Sequence, residues 1–293
     1  MPISTIVLNT TNLTQLPGQF NVAVNSPPYN RLYLPVNSGQ NLSGFQIALN
    51  KINLNYSWPN VTSINNVFTI SWKVGSSFTD YTATIPENTN YASIADLNSW
   101  LQSFMITNGL YLINASGENV YYMEFIANPS YYGVSLNLYL IPTSLPSGYS
   151  APISFPGYPT VSCTMKAYFP STSLFYKLIG YAPNTSFNGG AAAISYVSSF
   201  TPQLSPTSSV YVTCNIVMNP LALNYNSTII NCFTTKTTTY GETLEVLPNE
   251  YTWFDVNASS ISAIIVEFFD QNLVALNIRD PDITVMLVVR DKI

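Results

Sequence analysis

The chain is built from short runs in which apolar and polar residues alternate, broken by Pro, Gly and Asn at fairly even spacing. A period of two marks a half-buried strand, because successive side chains point to opposite faces of a sheet. The clearest run is FQIALNKINLN at residues 45–55, where Phe45, Ile47, Leu49, Ile52 and Leu54 form the apolar set. Its phase slips near Lys51, which predicts a β-bulge there. Similar patterns predict strands over 66–72, 80–85, 120–126, 133–141, 160–168, 208–218, 228–234, 260–269 and 283–290. Many short strands separated by turn residues predict a β-sandwich or barrel.

Helical signals are few. Within residues 90–105, Ser93 is the expected N-cap and Asp96, three residues on, completes a short capping box. Ile94, Leu97, Trp100, Leu101 and Phe104 then fall on one apolar stripe, and Gly109 is the expected stop. A second short helix is predicted over 173–178, ended by Gly180. The Pro/Ser/Gly-rich stretches 141–159 and 183–193 read as surface loops, and 10–33 as an extended arm or a loop.

Composition narrows the chemistry. Only 8% of the 293 residues are charged, against about a quarter in an ordinary globular protein, and histidine is absent. No charge occurs between Lys177 and Lys236, whereas the region from Lys236 onward carries 13 charges. Without histidine, Ser-His-Asp, Cys-His and histidine–metal sites are excluded. The nine Lys and Arg form no basic run, so an electrostatic grip on nucleic acid has no source. No apolar run approaches the roughly 18–20 residues needed to cross a bilayer, and the N-terminus lacks a secretory signal pattern. Cys163, Cys214 and Cys232 fit no zinc or redox spacing and read as buried free thiols. Asp280 with Asp282, and Glu242, Glu245 and Glu250, are the carboxylate groupings to consider for acid–base chemistry, and Asp280 with Asp282 also for calcium; solvated loop or strand-edge charges explain both clusters more simply. No catalytic, metal or cofactor residue is expected. Asn-x-Ser/Thr triplets at Asn9, Asn12, Asn41, Asn55, Asn60, Asn114, Asn184, Asn226 and Asn257 follow from a composition rich in Asn, Ser and Thr.

Several segments in this order resemble one family. They are GFQIALNKINLNYSWPN at 44–60, NVFTISW at 66–72, Thr84-Ile85-Pro86, the helix YASIADLNSWL at 91–101, YKLIG at 176–180, SPTSSVYVTCN at 205–215 and FDQNLVALNIRDPDITVMLVV at 269–289. The series resembles the penton, or minor capsid, proteins of virophages and Polinton-like viruses, and more distantly adenovirus penton base. Where the family often has a Gly turn between Ile-Pro and the helix, this chain has Glu87-Asn88-Thr89-Asn90, which an Asn in a left-handed conformation would serve.

The resemblance implies a mainly β protein. A single jelly-roll β-sandwich forms from 1–60 plus 205–293, with an N-terminal arm at about 1–40, and 61–204 is an inserted, mostly β outer domain. It also implies a structural virion protein, not an enzyme, that forms homopentamers capping the fivefold vertices of an icosahedral capsid. Its partners would be copies of itself, the double-jelly-roll major capsid protein and a host surface receptor or glycan, with no membrane and no direct nucleic-acid site. The alternative is a carbohydrate-binding or adhesin-like β-sandwich, with Tyr131, Tyr132, Tyr149 and Tyr158 as the sugar-facing rings. A hydrolase using Asp280 and Asp282 is the third reading.

Overall fold

The computed structural model describes residues 4–9, 29–35, 43–217, 228–235, 239–256 and 263–292, and divides into two compact units, Met1–Pro59 with Thr207–Ile293 and Asn60–Pro206. The first unit opens with β1 (Ser4–Asn9), β2 (Arg31–Pro35) and β3 (Phe45–Asn55). The second holds β4 (Val67–Val74), β5 (Ser77–Thr84), α1 (Ile94–Thr107), β6 (Tyr111–Ile113), β7 (Asn119–Tyr121), β8 (Met123–Asn128), β9 (Gly133–Leu138), β10 (Leu140–Ile141), β11 (Cys163–Thr164), β12 (Lys166–Phe169), α2 (Phe175–Leu178), β13 (Thr185–Phe187) and β14 (Ile194–Val197). The chain then returns to the first unit with β15 (Val210–Cys214), β16 (Ile229–Phe233), β17 (Thr243–Val246), β18 (Phe254–Asp255), β19 (Ala263–Phe269) and β20 (Thr284–Asp291).

The first unit is a jelly roll. One sheet runs β1-β20-β3-β17, with β18 also on β3, and the other runs β2-β19-β15-β16. With β17 and β18 taken as one interrupted strand, the eight strands in chain order form sheets 1-8-3-6 and 2-7-4-5. This is the two-Greek-key order of a jelly roll. The two sheets share one core, with Leu8, Ile47, Ile52, Leu54, Val285 and Leu287 from the first and Leu32, Val212, Cys214, Ile264, Val266 and Phe268 from the second. The long strand β3 shows how sequence sets register. Its pairing with β20 shifts between Met286 and Leu287, so that Met286 faces Lys51 and Leu287 faces Leu49. Asn50 is thus the extra residue, and the bulge keeps Leu49 and Ile52 both buried although they are three residues apart.

In the second unit, sheets β13-β12-β4-β5 and β14-β9-β8 enclose an aromatic core. Phe68 stacks on Phe175 at 4.3 Å, and Phe125 and Phe169 meet Phe68 edge-on at 6.1 and 6.0 Å. Trp72 is fully buried, and its indole N–H donates to the Gly157 carbonyl at 2.9 Å, so the ring is buried without an orphaned donor. Helix α1 begins at the expected capping box. The Asp96 N–H donates to Ser93 Oγ and the Ser93 N–H donates to the Asp96 carboxylate. Ile94, Leu97, Leu101 and Met105 form its buried face, while Trp100 and Phe104 are half-buried beside it. Asn98 Oδ1 accepts the Phe125 N–H at 2.9 Å, which ties the helix to β8. The expected left-handed Asn in the 87–90 turn is Asn88, with φ 60°.

Other expectations change. The predicted strand over 120–126 divides into β7 and β8, 133–141 into β9 and β10, and 160–168 into β11 and β12. Arg31, Leu32 and Tyr33, expected in an arm or loop, belong to β2, which pairs with β19. The stretch 183–193, expected as a loop, contains β13. β1, β14, β17 and β18 fall outside the predicted strands, because their partners lie far away in sequence and supply what local pattern lacks, and the three-residue β6, which pairs with nearby β7, is too short to show a period. Parts of the expected arm (10–28), of the strand ending at 218 and of the strand beginning at 260 lie outside the described residues.

Candidate interaction surface

Several described charges of the jelly-roll unit make cross-strand ties. Lys51 on β3 pairs with Glu245 on β17, and Arg31 on β2 with Glu267 on β19 at 3.4 Å. At one end of β3 and β20, Arg290 donates through Nε and Nη2 to Gln46 Oε1 at 2.9 and 2.8 Å, and its guanidinium lies 4.1 Å from the centre of the Trp253 ring. Gln46 and Lys292 both donate to the Asp255 carboxylate. These bonds, Lys292 first and then Gln46, hold the Asp255 carboxyl below its usual range.

The carboxylates singled out in the sequence do not converge on a reaction centre. Asp280 is 3% exposed and acts as a splint. Its oxygens accept the backbone N–H of Asn55, the side-chain amide of Asn55 at 3.4 Å and the backbone N–H of Asp282 at 2.9 Å, while Ser57 Oγ accepts the N–H groups of Arg279 and Asp280. Asp280 therefore fastens the turn before β20 to the end of β3. Glu245 is committed to Lys51, and Glu242 accepts the Thr239 N–H. Among the described residues no group of three or more Cys, Asp or Glu side chains could hold a metal ion. Nor is any helix of the described residues long and apolar enough to cross a membrane.

The cysteines correct one expectation. Cys163 and Cys214 are buried free thiols, but Cys232 is exposed, because it lies on the outward face of β16. Burial pushes the Cys214 thiol up to about 11. Several Asn-x-Ser/Thr asparagines carry structural bonds instead. The buried Asn60 amide donates to the carbonyls of Tyr91 and Leu204, Asn114 Oδ1 accepts the N–H groups of Ser116 and Glu118, and Asn184 Oδ1 accepts the Ser171 N–H. Asn12, Asn41, Asn226 and Asn257 lie outside the described residues.

The four tyrosines considered for sugar stacking separate into two pairs. Tyr149 and Tyr158 pack against the core of the second unit. Tyr131 and Tyr132 are 71% and 79% exposed on the short 3-10 turn Pro129–Tyr131, where Tyr132 adopts a left-handed φ of 50°. In the jelly-roll unit, Leu273 and Val274 are 51% and 60% exposed on the turn that follows β19, and Leu273 has a left-handed φ of 60°. A bulky residue with positive φ is an unusual backbone state, and here it also places an apolar side chain in water. Val7, Leu247 and Tyr251 are further exposed apolar side chains of this unit.

No protein-family model matches the sequence, and no curated protein matches it. Among solved structures, the chain is similar to the crystal structure of the selenomethionine-labelled mavirus penton protein, with a TM-score of 0.46 and 7% sequence identity over 100% of each chain.

Proposed function

We propose that this chain is a structural virion protein, a penton or minor capsid protein whose homopentamers cap the fivefold vertices of an icosahedral shell. The observation that carries the reading is the topology of the first unit. It is an eight-stranded jelly roll whose third and fourth strands, β3 and β15, are joined through a separately packed unit, Asn60–Pro206. Jelly rolls build capsid, lectin and cupin proteins. The sequence segments that resemble virophage and Polinton-like penton proteins span both units in the same order.

Side-chain chemistry supports an assembly role. The exposed Leu273, Val274, Leu247 and Tyr251 give the jelly-roll unit apolar surface suited to burial against a neighbour. A ring of five subunits uses heterologous contacts, so one patch on each subunit meets a different patch on the next. Under this reading the jelly roll is the base, seated among trimers of a double-jelly-roll major capsid protein, and the inserted unit faces outward, where a host receptor or glycan is met. The chain works as a shell plug and not as an enzyme.

Negative-stain images of the purified protein, alone and with the shell protein, test this reading. Fivefold rings that copurify with the shell protein are expected. Isolated monomers under assembly-favouring conditions, with no retention on the shell protein, would overturn it.

A further inference from the structure

The second unit contains a groove of about 270 Å³ lined by Tyr176, Lys177, Gly180, Phe200, Thr201 and Gln203, among others. We propose that this groove binds a saccharide bearing a carboxylate.

Its frame is fixed by backbone. α2 ends at Leu178, and Gly180 turns the chain with φ 78°. A Cβ at position 180 would lie 2.1 Å from the Phe200 carbonyl oxygen, so only glycine lets the 200–203 segment approach. That segment is then laced down. The Phe200 N–H donates to the Gly180 carbonyl at 2.9 Å, and the Gln203 N–H donates to the Lys177 carbonyl at 3.1 Å. The groove is therefore built before a ligand arrives, which lowers the ordering cost of binding.

Its chemistry has three parts. Tyr176 is half-buried and Phe200 is 61% exposed, so ring surface remains available to the apolar C–H face of a sugar. Thr201 and Gln203 bring a hydroxyl and an amide that can meet sugar hydroxyls. Lys177 supplies the charge. It is one of only three lysines in the unit; the other two, Lys73 and Lys166, lie 5.6 and 4.0 Å from the centre of the Phe78 ring. Among the described residues, Lys177 makes no side-chain hydrogen bond or ion pair, whereas three of the unit's five acids are committed locally. Asp96 sits in the capping box, Glu118 bonds Asn114, and Glu124 bonds Tyr139 and Asn137. One ammonium group suits a monoanion. A sulfate ester is also a monoanion but presents three terminal oxygens, and a phosphate monoester is largely a dianion, so each leaves acceptor oxygens that one lysine does not satisfy.

The test is ligand-observed saturation-transfer NMR on the full chain, titrating the methyl glycosides of N-acetylneuraminic acid and glucuronic acid. The methyl ester of each sugar, galactose and sodium acetate serve as controls. Saturable binding of the free acids is expected. Lys177→Gln should weaken it about tenfold or more, the worth of one charge-assisted contact, Phe200→Ala should weaken it roughly two- to tenfold, the worth of one ring contact, and Lys73→Gln should leave it unchanged. Urea midpoints verify that each variant is folded. The proposal is overturned if the acids show no saturation, if the esters or galactose bind equally well, if acetate displaces the sugar as effectively as the sugar itself, or if folded Lys177→Gln binds like the parent. The site stands or falls independently of the capsid reading, since none of these measurements depends on assembly.

Discussion

Replacing Tyr181 by Phe removes a single oxygen, and the structure gives that oxygen an unusual task. Tyr181 is 4% exposed, and its ring packs edge-on or tilted against Phe187 at 5.2 Å and Phe169 at 5.4 Å. Its hydroxyl accepts the Leu136 N–H at 3.1 Å and shares its proton between the carbonyls of Tyr196 at 2.7 Å and Val134 at 3.1 Å. Leu136 and Tyr196 are register partners on β9 and β14, so the phenol bridges a position where the two strands would otherwise bond directly. Burial raises the phenol above its ordinary range, so it remains a neutral donor and acceptor at all common pH values. Phe preserves the ring and opens no cavity. It leaves the Leu136 N–H and the Tyr196 carbonyl without this partner in a dry interior, at about 1–3 kcal/mol for each orphaned group. We therefore expect Tyr181→Phe to destabilise by about 2–4 kcal/mol, read as a lowered urea midpoint at unchanged m-value. Tyr168→Phe, which removes an exposed hydroxyl bonded to Asn184, should stay within about 0.5 kcal/mol. A loss below about 0.5 kcal/mol for Tyr181→Phe would mean that β9 and β14 close into a direct bond, and the bridging account would be wrong.

Two further outcomes follow from the same reasoning. Asp280→Ala strands the N–H groups of Asn55 and Asp282 and should cost about 2–4 kcal/mol by urea unfolding, with Asp280→Asn recovering part of that; a neutral Asp280→Ala would refute the splint role. For pH, the sequence has no histidine, so melting temperature should be nearly flat from about pH 6 to 8.5. It should then fall. Burial pushes Cys214 from 9.0 to about 11, and burial together with Tyr149 and Tyr158 pushes Tyr122 from 10.0 to about 12. The unfolded chain loses these protons first, so stability is full below about pH 9 and is lost as pH rises toward 12. A melting temperature that rises over this interval would contradict the assignment.

Legibility from sequence tracked how local each feature is. The α1 cap was readable because Ser93 and Asp96 satisfy each other within four residues. The bulge in β3 was readable because the phase slip near Lys51 is written into one strand. β14 was not readable. It lies in a charge-free stretch rich in Gly, Ala and Ser, and it is a strand only because β9 and the Tyr181 hydroxyl hold it. β1 is likewise defined by β20, nearly the whole chain away. The carboxylate roles of Asp280 and Glu245 depended on Asn55 and Lys51, so spacing alone could not distinguish splint, ion pair and catalyst. The groove had one signal in the sequence. Lys177 is the last charge before a long neutral stretch, but nothing local shows that residues 200–203 fold back onto it.

If the chain is the proposed vertex protein it assembles into a ring of five, and native mass spectrometry of the purified chain reads that state. A dominant species of five 32.3 kDa chains is expected, with the ring weakened by Leu273→Asp, which places a charge on the exposed turn. A spectrum holding only monomer or dimer across protein concentration and salt would contradict it.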